Sequence, residues 1–153
     1  MELILWRHAD AEDANGKPDT ERRLTKKGRR QAERMAGWLR PRLTHEWRIL
    51  ASPARRALET VEPLGMEFEE SPAVGLSATP HSILQAAGWP HGKEPILVVG
   101  HQPTLGQVVA MLLEGSAGDV AVKKGAIWWF VTREREGEIQ TLLQTVMNPD
   151  ELE

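Results

Sequence analysis

The chain predicts an α/β fold: a three-layer α/β/α sandwich with a mainly parallel central sheet and a C-terminal β-hairpin. Three observations lead there. Short apolar runs alternate with amphipathic helical stretches as far as Gly115. Two further strand-like runs, Ala126–Thr132 and Ile139–Val146, then face each other across a polar turn. Finally, the apolar runs at Leu3–Trp6, Ile49–Leu50 and Ile96–Val99 each lead into residues suited to holding phosphate. Ligand sites of open α/β sheets lie beyond the carboxyl ends of the strands.

The elements follow in order. Leu3–Trp6 reads as a buried strand, and residues 9–23 as a polar loop containing Gly16 and Pro18. A helix opens at Leu24-Thr25 with Thr25 as N-cap. Its apolar positions Ala32, Met35, Ala36 and Leu39 recur at helical spacing, and Pro41 ends it. Arg48–Ala51 is a second strand. Pro53 suits the first turn of a helix running to Glu62, where Pro63 stops it. Met66–Phe68 predicts a short strand, with loop from Glu69 to Pro80. A helix over His81–Ala87 ends at Gly88. Pro95–Val99 is the clearest strand, and Thr104–Leu113 a helix ended by Gly115. The hairpin turns through Arg133–Gly137. No repeat, linker or low-complexity tract interrupts this order, which predicts a single domain over residues 1–153.

Composition narrows the function. With 153 residues, 41% hydrophobic and 27% charged, the chain fits one globular domain with a real core. A formal net charge of -3 argues against nucleic acid as a general partner. No stretch is apolar enough to span a bilayer, so no membrane partner is expected. Glu2 stands where a secretory signal carries positive charge, and a cytoplasmic address is expected by default. The absence of cysteine excludes disulfides, thiolate catalysis and zinc–cysteine sites. The five histidines show no metal-ligand spacing with carboxylates, so no metal site is expected; no cofactor is expected either.

The strand ends carry the chemistry. Arg7 and His8 stand side by side after the first strand. A neutral imidazole with one ring nitrogen unprotonated can attack phosphorus, and an adjacent guanidinium fork fits the phosphate oxygens. Ser52 and the helix after it lead to Arg56, placed to hold another side of the same phosphate. His101 follows Gly100 and can donate to phosphoryl oxygens as charge moves. Read singly, such an Arg-His pair is more often a packed histidine beside a solvated arginine, and Arg56 and His101 have similar plain readings; their repetition at strand ends favours a shared pocket.

Leu5-Trp6-Arg7-His8-Ala9-Asp10-Ala11-Glu12 resembles the signature of the histidine phosphatase superfamily, the phosphoglycerate mutase-like group. The chain is most similar to its small branch, the SixA-type phosphohistidine phosphatases, in which alanine commonly follows the histidine. Arg23-Leu24-Thr25 with Gly28, Gln31 and Ala32 resembles the next segment of that family. Ser52-Pro53-Ala54-Arg55-Arg56-Ala57 with Thr60 resembles the element bearing its second arginine, matched by Arg56. Val99-Gly100-His101-Gln102-Pro103 with Leu105 resembles the second-histidine segment, and Gly125-Ala126 the start of the final hairpin. The resemblance implies a phosphoglycerate mutase-like fold and a catalytic set of His8, Arg7, Arg56 and His101. His8 would become a phosphohistidine; Arg7, Arg56 and His101, with Ser52, would bind substrate, and water would release phosphate without a metal.

Larger relatives also carry a carboxylic acid that protonates the leaving group, yet Ser71–Lys93 contains neither Asp nor Glu. Asp10, Glu12, Glu69, Glu70 and His81 are the candidates. A missing acid favours a leaving group that needs little help. Protein phosphohistidine fits, because an imidazole of pKa about 6.5 takes up its own proton near neutrality. The expected partner is therefore a phosphorylated protein, with a small phosphorylated metabolite (a sugar or nucleotide phosphate) or a non-catalytic phosphate-binding module as alternatives. Short connections predict an open pocket, with Arg22 and Arg23 near its mouth, and the resemblance implies that Lys123 and Lys124 lie near its rim. Lys26, Lys27, Arg29, Arg30 and Arg34 read as a solvated helix face, and His45 and His91 as surface residues.

Overall fold

A computed structural model describes residues 1–152. The elements are β1 (Glu2–Arg7), α1 (Lys26–Leu39), β2 (Arg48–Ala51), α2 (Arg55–Val61), β3 (Glu69–Glu70), α3 (Pro80–Ala87), β4 (Ile96–Gly100), α4 (Thr104–Glu114), β5 (Ile127–Arg135) and β6 (Glu138–Met147). The strands make one six-stranded sheet of order β3-β2-β4-β1-β5-β6. β3, β2, β4 and β1 pair in parallel, and the β5–β6 hairpin continues the sheet antiparallel to β1.

Side-chain alternation along the strands builds two cores. Ile4, Trp6, Ile49, Ala51, Leu97, Val99, Ile127 and Trp129 pack under Met35, Ala36 and Leu39 of α1 and Ala57 and Val61 of α2. Leu3, Leu5, Leu50, Ile96, Val98 and Phe130 face the other way, against Ile83 and Ala87 of α3 and Leu105, Val108 and Val109 of α4. These two faces make the three layers. Each fully buried aliphatic or aromatic side chain contributes about 1.5–3 kcal/mol, so register in β1 and β4 is tightly held. The adjacent Trp128 and Trp129 face opposite sides of the sheet.

Several boundaries differ from the sequence reading. The third strand is Glu69–Glu70, not Met66–Phe68. Met66 and Phe68 pack as an irregular segment against the α1/α2 core, and the two glutamates after them meet Leu50 and Ala51 in register. Helix α2 begins at Arg55 rather than at Pro53, because the Ser52 hydroxyl accepts the Ala54 N–H at 3.1 Å and bends the chain first. Helix α3 starts at Pro80, fixed by reciprocal hydrogen bonds between Thr79 and Ser82. The hairpin is longer than expected, with its turn reduced to Glu136-Gly137. Both have positive φ (54° and 80°), the backbone twist a two-residue hairpin turn requires. No helix of the described residues is long and apolar enough to cross a membrane.

One glycine ties α1 to the segment after β1. A Cβ on Gly28 would lie 1.9 Å from the Asp10 carbonyl oxygen, whereas one on the exposed Gly37 would meet nothing closer than the tip of Arg40 at 3.9 Å. Thr25 reinforces the junction, its N–H reaching the Asp10 carbonyl at 3.0 Å while its hydroxyl accepts the Gly28 N–H. Gly28→Ala should cost about 2–3 kcal/mol through overpacking against backbone. Gly37→Ala should be neutral or stabilise by about 0.5–1 kcal/mol. Urea denaturation of the two variants checks the contrast within one helix.

Candidate active site

Three parallel strands deliver side chains to one end of the sheet. The backbone N–H of His8 bonds the Gly100 carbonyl at 3.1 Å, and that of Ser52 bonds the Val99 carbonyl at 3.0 Å. These bonds carry the ladders one residue beyond the strands. His101 follows directly after β4, and Arg56 lies in the first turn of α2. Arg7, His8, Arg56 and His101 thus meet around a cavity of about 350 Å³, whose walls also include Asp19, Arg22, Leu76, Gln102 and Lys124.

His8 is oriented by its own backbone. Its Nδ1 lies 2.8 Å from the Ala9 carbonyl, and since a carbonyl only accepts, Nδ1 carries the proton and Nε2 is left as a base. The Ala9 N–H in turn reaches the Thr60 hydroxyl at 3.0 Å, and that hydroxyl donates to the Arg56 carbonyl at 2.7 Å. The His8 segment and α2 are therefore locked to each other. The rings of His8 and His101 are 5.2 Å apart. Burial pushes the His8 pKa down to about 3, the Ala9 hydrogen bond opposes this, and the charges of His101, Arg56 and Arg7 add to the lowering. Burial, then Arg56, lowers His101 to about 4.

His101 uses Nε2 to meet the Ser52 hydroxyl at 2.7 Å, which leaves Nδ1 buried without a hydrogen-bond partner among the described residues. Arg7 donates through Nη1 to the Val122 carbonyl at 2.8 Å. Arg56, only 4% exposed, donates through Nη1 to the Asp19 carbonyl at 2.7 Å and through Nη2 to the Asp19 carboxylate at 3.1 Å. Nε of both arginines is buried and unpaired among the described residues. Buried polar groups almost always find partners, so this concentration of unpaired donors describes a site shaped for an anion. No group of three or more His, Asp or Glu side chains among the described residues is placed to hold a metal.

The other sequence candidates fall elsewhere. Ser52 is fully buried, outside the cavity wall, with its hydroxyl engaged by His101 and Ala54. None of Asp10, Glu12, Glu69, Glu70 and His81 lines the cavity. The Asp10 carboxylate binds Thr25 and Lys124, which hold it below its usual range. Glu12 meets Lys17 and the Arg23 N–H, Glu69 pairs with Arg48, and Glu70 and His81 are exposed. Arg22 and Lys124 do line the cavity; Arg23 and Lys123 do not. The carboxylate in the wall is Asp19, which the sequence reading passed over as part of a polar loop. Its available signal was Arg22 three residues on, the partner it meets at 3.0 Å.

Comparison with known proteins gives a consistent picture. The family model of the histidine phosphatase superfamily (branch 1) matches residues 3–75. The chain is 32% identical over 124 residues to the phosphohistidine phosphatase SixA of Escherichia coli, covering 75% of this chain and 76% of that protein. A solved structure of the protein histidine phosphatase SixA complexed with tungstate superposes with a TM-score of 0.82 at 28% identity, over 100% of both chains. A phosphoserine phosphatase of Entamoeba histolytica shares the fold at 17% identity, with a TM-score of 0.71 over 99% of this chain and 98% of that one.

The depressed histidines link stability to pH. Between the folded values, about 3 and about 4, and an unfolded value of about 6.5, the unfolded chain binds more protons than the native one. Stability therefore rises with pH through this window, is complete above it, and is lost as pH falls. The urea midpoint should drop between pH 7 and pH 4.5. His8→Gln/His101→Gln should flatten this slope, leaving the smaller dependence contributed by carboxylates such as Asp19.

Proposed function

The chain belongs to the histidine phosphatase superfamily and has the phosphatase chemistry of that group, and we propose that it dephosphorylates protein phosphohistidine with His8 as its nucleophile. The observation that carries this reading is the 2.8 Å contact of His8 Nδ1 with the Ala9 carbonyl, which leaves Nε2 free on a ring lining the cavity. A pKa of about 3 keeps that nitrogen unprotonated across the neutral range. His8 Nε2 attacks phosphorus, and the phosphorus–nitrogen bond to the substrate imidazole breaks. Water then cleaves the phosphoryl group from His8 and releases phosphate.

Arg7 and Arg56 hold the phosphoryl oxygens, and His101 donates from Nδ1, the ring nitrogen that Ser52 does not engage. Phosphoryl transfer depends mainly on positioning and charge stabilisation, which these groups supply. Ser52 is a positioning residue in this scheme, since it holds the His101 ring and lies behind it. Phosphohistidine as substrate is supported by the relative of that name and by the cavity wall. None of the acid candidates read from the sequence reaches the wall, and Arg22, then Arg56, hold the Asp19 carboxyl below its usual range, unfit to give up a proton.

His8→Ala should abolish phosphate release from p-nitrophenyl phosphate, and Arg56→Ala should lower kcat/KM about a hundredfold, the effect of about 3 kcal/mol of lost anion stabilisation. Rapid quench should trap an acid-labile, base-stable phosphoryl group on the wild-type chain and none on His8→Ala. An active His8→Ala protein would end the assignment. Turnover of an N-phosphohistidine peptide against a panel of sugar and nucleotide phosphates decides the substrate class, and preference for a small ester would replace phosphohistidine. No turnover of any of them would leave a phosphate-binding module.

A further inference from the structure

Asp19 is the one acidic side chain among the described residues of the cavity wall. It stands on a one-turn 3-10 helix, Asp19–Glu21, with its side chain about half exposed and its oxygens reaching Arg56 at 3.1 Å and Arg22 at 3.0 Å. A site that binds a phosphoryl group gains nothing for that purpose from an anion beside its arginine. Asp19 is also a poor proton donor, because its two guanidinium partners favour the charged carboxylate. A fixed negative charge next to the phosphoryl position does suit a leaving group that carries positive charge.

Resting on the phosphohistidine reading above, we infer that the Asp19 carboxylate is a specificity-determining group that binds the protonated ring of the substrate phosphohistidine. An N-phosphorylated imidazole has one remaining ring nitrogen, and protonation there makes it a cation with a single N–H. That N–H donates to Asp19 while the phosphoryl oxygens face Arg7, Arg56 and His101. When His8 Nε2 forms its bond to phosphorus, the bond to the substrate nitrogen breaks and its electron pair returns to the ring. The product is a neutral imidazole that keeps its distal proton. No proton moves in the step, so no general acid is required. A phosphate ester has no such distal proton: its departing oxygen needs one, and the described residues of the wall include no protonated carboxylic acid to give it. Asp19 thus separates the two substrate classes by charge.

The test compares an N-phosphohistidine peptide, prepared with phosphoramidate, with p-nitrophenyl phosphate on wild type, Asp19→Asn, Asp19→Ala and Asp19→Glu. Damage to Arg56 or to the fold reduces both activities together, so the readout is the ratio of the two kcat/KM values. Both Asp19→Asn and Asp19→Ala should lower this ratio about tenfold, and Asp19→Glu should recover most of it. An unchanged ratio in both neutral variants overturns the role of Asp19 and leaves the phosphohistidine reading standing. A wild-type protein that cleaves the ester and ignores the peptide overturns both.

Discussion

Two backbone hydrogen bonds set the geometry on which the rest of the site depends. The His8 N–H to Gly100 carbonyl and the Ser52 N–H to Val99 carbonyl continue the parallel ladders past the ends of β1 and β2. Both acceptors belong to β4, the strand between them, which then supplies His101. The three chain segments consequently leave the sheet side by side. A slip of one residue in β1 would exchange the faces of Leu3 and Leu5 with those of Ile4 and Trp6, and would turn Arg7 away from its neighbours. Two dry cores, one on each side of the sheet, oppose that slip. Packing far from the cavity therefore fixes the position of the nucleophile.

The same arrangement explains what could be read from the sequence. Arg7, His8, Arg56 and His101 were legible because each follows an apolar run at short range, and apolar runs become the central strands. Asp19 was not, because its contact with Arg56 joins a loop to a helix across 37 residues and leaves no local pattern. Ser52 was placed at the correct strand end, yet its partner lies 49 residues away, so its position behind His101 was hidden. Nearness in sequence misled for Asp10 and Glu12, whose carboxylates turn toward Thr25, Lys124 and Lys17. At β3, hydrophobicity marked the residues that pack, Met66 and Phe68, while the ladder was made by exposed glutamates whose side chains say nothing about it.

Electrostatically the cavity is a deliberate imbalance. Three of the four buried, unpaired side-chain polar atoms found among the described residues belong to Arg7, Arg56 and His101. The guanidinium groups of Arg7, Arg22 and Arg56, the Lys124 ammonium, the Asp19 carboxylate and two histidines held neutral share a small volume. Such an arrangement costs stability in the free protein and is offset by the apolar cores. Reorganisation on binding is small, because the donors already converge and the His8 tautomer is set by a backbone carbonyl.

The Asp19–Arg56 contact has a consequence for turnover. In the free protein this aspartate is the internal occupant of a guanidinium that any incoming phosphoryl group needs. An anion that docks meets the unpaired Nε of Arg56 with this carboxylate still beside it, whether it arrives as reactant or remains as orthophosphate. On the phosphohistidine reading the reactant's cationic ring offsets the repulsion, whereas orthophosphate brings no positive charge, so the carboxylate weakens the hold on product more than on reactant. Such one-sided repulsion favours departure of the product.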